Sequence, residues 1–145
     1  MKKTSLVVRY TRSKLTSWLQ VAQDYVVPHR PGYVNIDVAK HLATSYGDQA
    51  RHVTDIAMRE QLGRRLVAWH DVIEAEVVYA ARHEMCCSAE DFLARRCRLA
   101  FMDVAASLAA LPRVVELLAK ELGQGDSWKQ AELAKASAFL DTFTV

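Results

Sequence analysis

Segment 72–81 constrains the fold most. Read at 100° per residue, Val72, Ile73, Val77, Val78, Tyr79, Ala80 and Ala81 cover most of a helix circumference. A helix that is apolar nearly all round belongs in the middle of a bundle, because none of its faces suits water. The flanking sequence must then supply amphipathic helices to surround it. That requirement makes the chain all-α.

The punctuation divides the rest. Leu15, Trp18, Leu19 and Ala22 recur at helical spacing and run into Asp24-Tyr25, a first helix. Pro28-His-Arg-Pro31-Gly32 stops it, since proline removes a donor and restricts the residue before it. Asn35 is an N-cap for a second helix over 36–45, with Ala39 and Leu42 facing inward. Tyr46-Gly47-Asp48 supplies a C-terminal glycine followed by a new capping acid. A third helix over 49–60 carries Ala50, Val53, Ile56 and Ala57. Gly63-Arg64-Arg65 opens a loop reaching 69–71, and the fourth helix runs over 71–86. Ser88-x-x-Asp91 resembles a capping box and starts a fifth helix. Its face Leu93, Cys97, Ala100, Val104, Leu108 and Leu111 fits about six continuous turns. Leu111-Pro112 begins a sixth, ending at Gly123, with proline tolerated in the first turn. Ser127-x-x-Gln130 caps a seventh that carries Leu133, Ala136 and Leu140. Leu6-Val7-Val8 is too short to argue as a strand. The expectation is a compact all-α bundle of six or seven helices, one domain over 1–145.

A chain of 145 residues can bury roughly two-thirds of its unfolded surface. Its net charge of +2 is too small to imply nucleic acid, and Trp18, Trp69 and Trp128 are too scattered to stack bases. No apolar run approaches the ~18 residues needed to span a bilayer. Cys86, Cys87 and Cys97 form no disulfide framework, and they read as small hydrophobes in a reducing compartment. A zinc site on His83, Cys86 and Cys97 lacks a fourth ligand at a usual spacing, so no metal is expected. The first 23 residues hold Lys2, Lys3, Arg9, Arg12 and Lys14 and no acid, which also fits a mitochondrial transit peptide. The helical spacing from Leu15 favours a structural helix there.

The charges suggest one structural pair. Arg95 and Arg98 lie opposite the apolar stripe of the fifth helix, with Asp91 placed to pair with Arg95 at i,i+4. Arg96 borders the stripe, and Glu76 and Glu84 flank or join that of the fourth helix. Buried charges must pair, so Arg96 is expected to meet Glu76 or Glu84 and fix the register of the two helices. Glu76→Ala should then cost about 3 kcal/mol. The competing reading puts the arginines on a phosphate or an acidic partner. Arg64-Arg65 near Trp69 and His70 reads as a solvated loop, and His41 and His52 as surface or satisfied core positions. There is no GxGxxG after a strand, no GxxxxGK[ST], no HExxH and no GxSxG. No residue is assigned a catalytic, cofactor-binding or metal-binding role.

Four motifs in order carry a resemblance over 15–140. They are Leu15-x-x-Trp18-Leu19-x-x-x-x-Asp24-Tyr25, then Val38-Ala39-x-His41-Leu42-x-x-x-Tyr46-Gly47-Asp48-x-Ala50. Third is the stretch from Glu74 to Asp103, above all Glu74-Ala-Glu76-Val and Arg95-Arg96-x-Arg98-Leu-Ala-Phe. Last comes Leu111-Pro112-Arg113-Val114-Val115-Glu116-Leu117 with Glu121-Leu122. Together they resemble the C-terminal helical domain of the FAD-dependent glycerol-3-phosphate dehydrogenases, the glycerophosphate oxidase family. Val26 stands where the family has the glycine of Asp-Tyr-Gly, and 27–32 look like extra loop.

The resemblance implies a two-part parent. An FAD-binding region oxidises glycerol 3-phosphate to dihydroxyacetone phosphate and passes electrons to quinone, or to oxygen in the oxidases. The helical domain covers that region and is its partner. The family's flavin, substrate and catalytic positions have no counterparts here, so no cofactor is expected in this chain, which should be colourless and inactive alone. No EF-hand pair like that of animal members is expected within residues 1–145. The implied parent is membrane-associated: at the mitochondrial inner membrane if eukaryotic, on the cytoplasmic face of the inner membrane if bacterial. The alternative is a standalone helical interaction module without enzyme activity.

Overall fold

In the computed structural model, which describes residues 35–143, residues 72–80 form an unbroken buried run. Among the described residues there are six α-helices, one 3-10 turn and one π-helical turn. One isolated antiparallel bridge, Arg65 to Ile73, is the only extended pairing among them. The all-α expectation is met. The first helix and Leu6-Val7-Val8 lie outside the described residues. The rest group into two compact units divided after Arg64.

In the first unit, α1 spans Ile36–Tyr46 and α2 spans Ala50–Arg59, with a 3-10 turn Gly47–Gln49 between them. Val38, Ala39, Leu42 and Ala43 form the buried stripe of α1. Gly47 takes φ 56° and its N–H bonds the carbonyl of Ala43, so the expected glycine stop is the one used. A side chain there would be strained, since L-residues rarely hold that conformation. On α2, Ala50, Val53 and Ala57 are buried as expected. Thr54 is buried with them, and Ile56 is only half-buried. Thr54 is satisfied by donating its hydroxyl to the carbonyls of Ala50 and Arg51, at 3.1 and 2.9 Å.

The second unit is built around α3, Glu74–His83, whose residues from Glu74 through Ala80 are all buried. It packs on the π-helical turn Asp91–Arg96 and on α5, Val104–Leu122. The short α4, Leu99–Met102, and α6, Asp126–Asp141, pack on α5 in turn. Phe92, Leu93, Leu99, Leu118 and Leu140 are among the largest fully buried side chains. Each such burial is worth about 1.5–3 kcal/mol.

Four expected boundaries are corrected. The single six-turn fifth helix is three pieces. The N–H of Cys97 reaches back five residues to Phe92, which makes the turn a π-helix, and Arg98 then takes the left-handed conformation at φ 60°. Asp103 is extended and caps α5, its carboxylate accepting the N–H of Ala106 at 2.8 Å. This break shifts the helical phase. Leu93, Ala100 and Leu111 stay buried, while Val104 is half-buried and Leu108 turns out to solvent. The second correction is at Leu111-Pro112, where no new helix begins. Pro112 lies inside α5, on its exposed side, where the loss of one backbone bond is tolerated beside water. The fourth helix is also shorter than 71–86, because Met85 takes φ 54° and turns the chain. Gly125, rather than Ser127, is the N-cap of the last helix.

Candidate functional site

Three buried carboxylates, Glu74, Glu76 and Glu132, lie in the second unit, and each has hydrogen-bond donors. Glu74 and Glu76 stand in the first turn of α3, where backbone N–H groups and the helix dipole favour negative charge. Glu76, 1% exposed, accepts the N–H of Ile73 at 2.8 Å. Glu74 receives both Nε and Nη2 of Arg113, each at 3.0 Å, across α3 and α5. The same guanidinium gives its remaining nitrogen Nη1 to Glu116 at 2.6 Å. Glu132 on α6, also buried, accepts the N–H of Ala89 at 2.8 Å and so caps the helical turn after Ser88 from another element.

The remaining motif residues divide between the units. Tyr46 and Gly47 end α1 in the first unit, and Arg95, Arg96 and Arg98 lie in the second with Glu74 and Glu76. Arg96 Nε lies 3.6 Å from Glu84 Oε2, and Nη2 donates to the Glu84 carbonyl. Both side chains are partly exposed, at 39% and 26%, so this pair is worth at most about 1 kcal/mol. Arg95 meets Asp91 at 2.8 Å on the surface. Arg98 is exposed in its left-handed turn. Glu74 to Arg113, a pair that sequence reading missed, joins residues 39 apart and leaves no local spacing signal.

Beside these, Asp103 Oδ2 accepts the indole N–H of Trp69 and meets Nε2 of His70, both at 3.1 Å. Its carboxyl is held down at about 2, chiefly by the Ala106 N–H, then by His70 and Trp69. Arg65 closes the same loop through Asp71 at 2.7 Å. The thiols of Cys86 and Cys97 are each pushed up to about 12, mainly by burial, which suits inert packing. No group of three or more His, Cys, Asp or Glu among the described residues could hold a metal. No helix among them is long and apolar enough to cross a membrane. Gly47 and Gly123 cap helix C-termini and Gly125 precedes α6. None of these three follows a strand to form the turn that cradles a dinucleotide pyrophosphate.

Residues 10–132 match the family described as the C-terminal domain of alpha-glycerophosphate oxidase. The chain is 47% identical, over 97% of its length, to glycerol-3-phosphate dehydrogenase SDP6, mitochondrial, of Arabidopsis thaliana, of which it covers 21%. It is 42% identical to the mitochondrial glycerol-3-phosphate dehydrogenase of Mesocricetus auratus, over 86% of the chain and 17% of that relative. A probable mitochondrial glycerol-3-phosphate dehydrogenase of Dictyostelium discoideum is 41% identical over 74% of the chain. The chain thus spans about a fifth of the length of these relatives. No solved structure matches it. The chain belongs to the family of alpha-glycerophosphate oxidase C-terminal domains.

Proposed function

We propose that this chain is the C-terminal domain of a larger FAD-dependent glycerol-3-phosphate dehydrogenase and that it acts by docking on the flavin-binding part. The parent oxidises glycerol 3-phosphate to dihydroxyacetone phosphate and passes the electrons to quinone. The observation that carries this reading is the 47% identity over 97% of the chain to a relative of that name. In this reading the chain's own residues hold a rigid support. Glu74 with Arg113 locks α3 to α5, and Glu132 fixes α6 to the turn after Ser88. Chemistry at the substrate belongs to residues of the parent outside 1–145. The mitochondrial names of the relatives support a mitochondrial location, and in this reading the parent associates with the inner membrane.

The test is glycerol-3-phosphate-dependent dye reduction in membranes before and after disruption of the gene that encodes this chain. The proposal expects that activity to disappear. Undiminished activity, with no second gene for such a dehydrogenase in the cell, would refute it.

A further inference from the structure

The second unit leaves one apolar face in solvent. Trp69, Phe101 and Met102 are 63%, 62% and 64% exposed. They are neighbours: the Trp69 indole is tied to Asp103, which follows Met102 in the chain. Phe101 also meets Phe143 edge-on, with ring centroids 5.2 Å apart. At the start of α4 stands Arg98, exposed and in the left-handed conformation. No hydrogen bond or ion pair among the described residues takes its guanidinium. Trp, Phe, Met and Arg are the side chains enriched where proteins bind one another. A non-glycine residue held at positive φ is a strain that functional sites store.

We propose that Trp69, Arg98, Phe101, Met102 and Phe143 form the face by which this domain docks onto the flavin-binding part of its own polypeptide. There it meets an apolar surface that presents a carboxylate to Arg98. The choice of occupant rests on the proposed parent dehydrogenase, and two observations favour it over a free partner. First, the three exposed apolar side chains offer about 400 Å² between them, at 150–250 Å² for a whole aromatic side chain. Covering them from both sides buries about 800 Å², within the 600–1,500 Å² of interfaces inside one polypeptide. Counting these three side chains alone, that is short of the 1,200–2,000 Å² of stable separate partners. Second, the chain covers only 17–21% of the relatives, so most of such a polypeptide lies outside it. A tethered neighbour needs little area, because its effective concentration is already in the millimolar range.

The test is photo-crosslinking in the full-length polypeptide, with benzoylphenylalanine placed at Phe101 and, as a second placement, at Met102. A control goes at exposed Gln124, just past the far end of α5, about 30 Å from Asp103 at 1.5 Å per residue. The expected result is a crosslink from 101 or 102 to a peptide of the flavin-binding region that contains Asp or Glu, and none from 124. Arg98→Glu should lower its yield severalfold. Silence at both 101 and 102, or capture only of a second copy, overturns the docking face. Flavin content and glycerol-3-phosphate oxidation by the unsubstituted protein read the parent assignment separately. Silence at both 101 and 102 in a flavin-loaded, active protein sinks the face alone, and a flavin-free, inactive full-length protein sinks both.

Discussion

The ion pair between Glu74 and Arg113 should be asymmetric when it is broken. Glu74 is 7% exposed at its side chain, whereas Arg113 is 39% exposed and keeps Glu116 as a second partner. Arg113→Met leaves a buried carboxylate with its two guanidinium bonds gone. Breaking a fully buried pair this way costs about 3–5 kcal/mol, and the partial exposure of Arg113 brings the expected loss down to about 2–3 kcal/mol. Glu74→Gln removes the charge from the buried side instead. The remaining guanidinium can turn to Glu116 and to water, and a neutral amide can still accept one bond, so the loss should be about 1 kcal/mol. The double variant Arg113→Met with Glu74→Gln should recover part of the loss, giving a coupling of about 1–2 kcal/mol. Urea unfolding followed by far-UV circular dichroism measures all four proteins, with equal slopes required for the comparison. Equal losses from the two single changes, or a larger loss from Glu74→Gln, would refute the argument that burial of the carboxylate decides the outcome.

Three other outcomes are expected. Because the carboxyl of Asp103 is held at about 2, below its ordinary value near 4, its stabilising effect is present above pH ~4 and lost as pH falls toward 2. The stability difference between the parent and Asp103→Asn, followed by urea midpoints from pH 5.5 to 2.5, should therefore shrink through that window. A constant difference would contradict the assignment. Arg98→Gly relieves a left-handed residue worth about 1–2 kcal/mol, offset by glycine's own ~0.5–1 kcal/mol entropy, so the urea midpoint should rise slightly. A fall would mean that the guanidinium has a structural partner. Ellman's reagent at pH 8 should find one fast thiol, the exposed Cys87, and three after unfolding. Two fast thiols in the native protein would contradict the burial of Cys86 and the raised Cys97.

The helices were legible wherever a local signal fixes them. The apolar circumference of 72–80 announced a central α3, and Gly47 announced the end of α1. The long fifth helix misled because a stripe at helical spacing says nothing about a π-turn, which reads from the same residues with one residue more per turn. Asp103 before Val-Ala-Ala was the available clue, an N-cap residue in the middle of the stripe. Pro112 was read as a beginning because local chemistry cannot say which side of a helix will face water. The carboxylate partners were the least legible. Glu76 is held by its own helix N-terminus and Glu74 by a residue 39 positions away. Arg96 meets Glu84 in half-exposed surroundings, and Glu76→Ala would orphan the Ile73 N–H in the core, so the expected loss of about 3 kcal/mol does not depend on Arg96. The docking face was invisible for a related reason. At 100° per residue Phe101 borders the Leu93 stripe while Met102 lies opposite it, so the pattern alone does not join them in one exposed face with Trp69.

The account stands most directly on the nature of the polypeptide that carries this chain in its cell. An antibody against the chain, used to capture the native protein from a lysate, gives mass, bound flavin and activity from one sample. The prediction is a polypeptide about five times the length of this chain, carrying FAD and reducing dye with glycerol 3-phosphate. A flavin-free band at 16.3 kDa would contradict it.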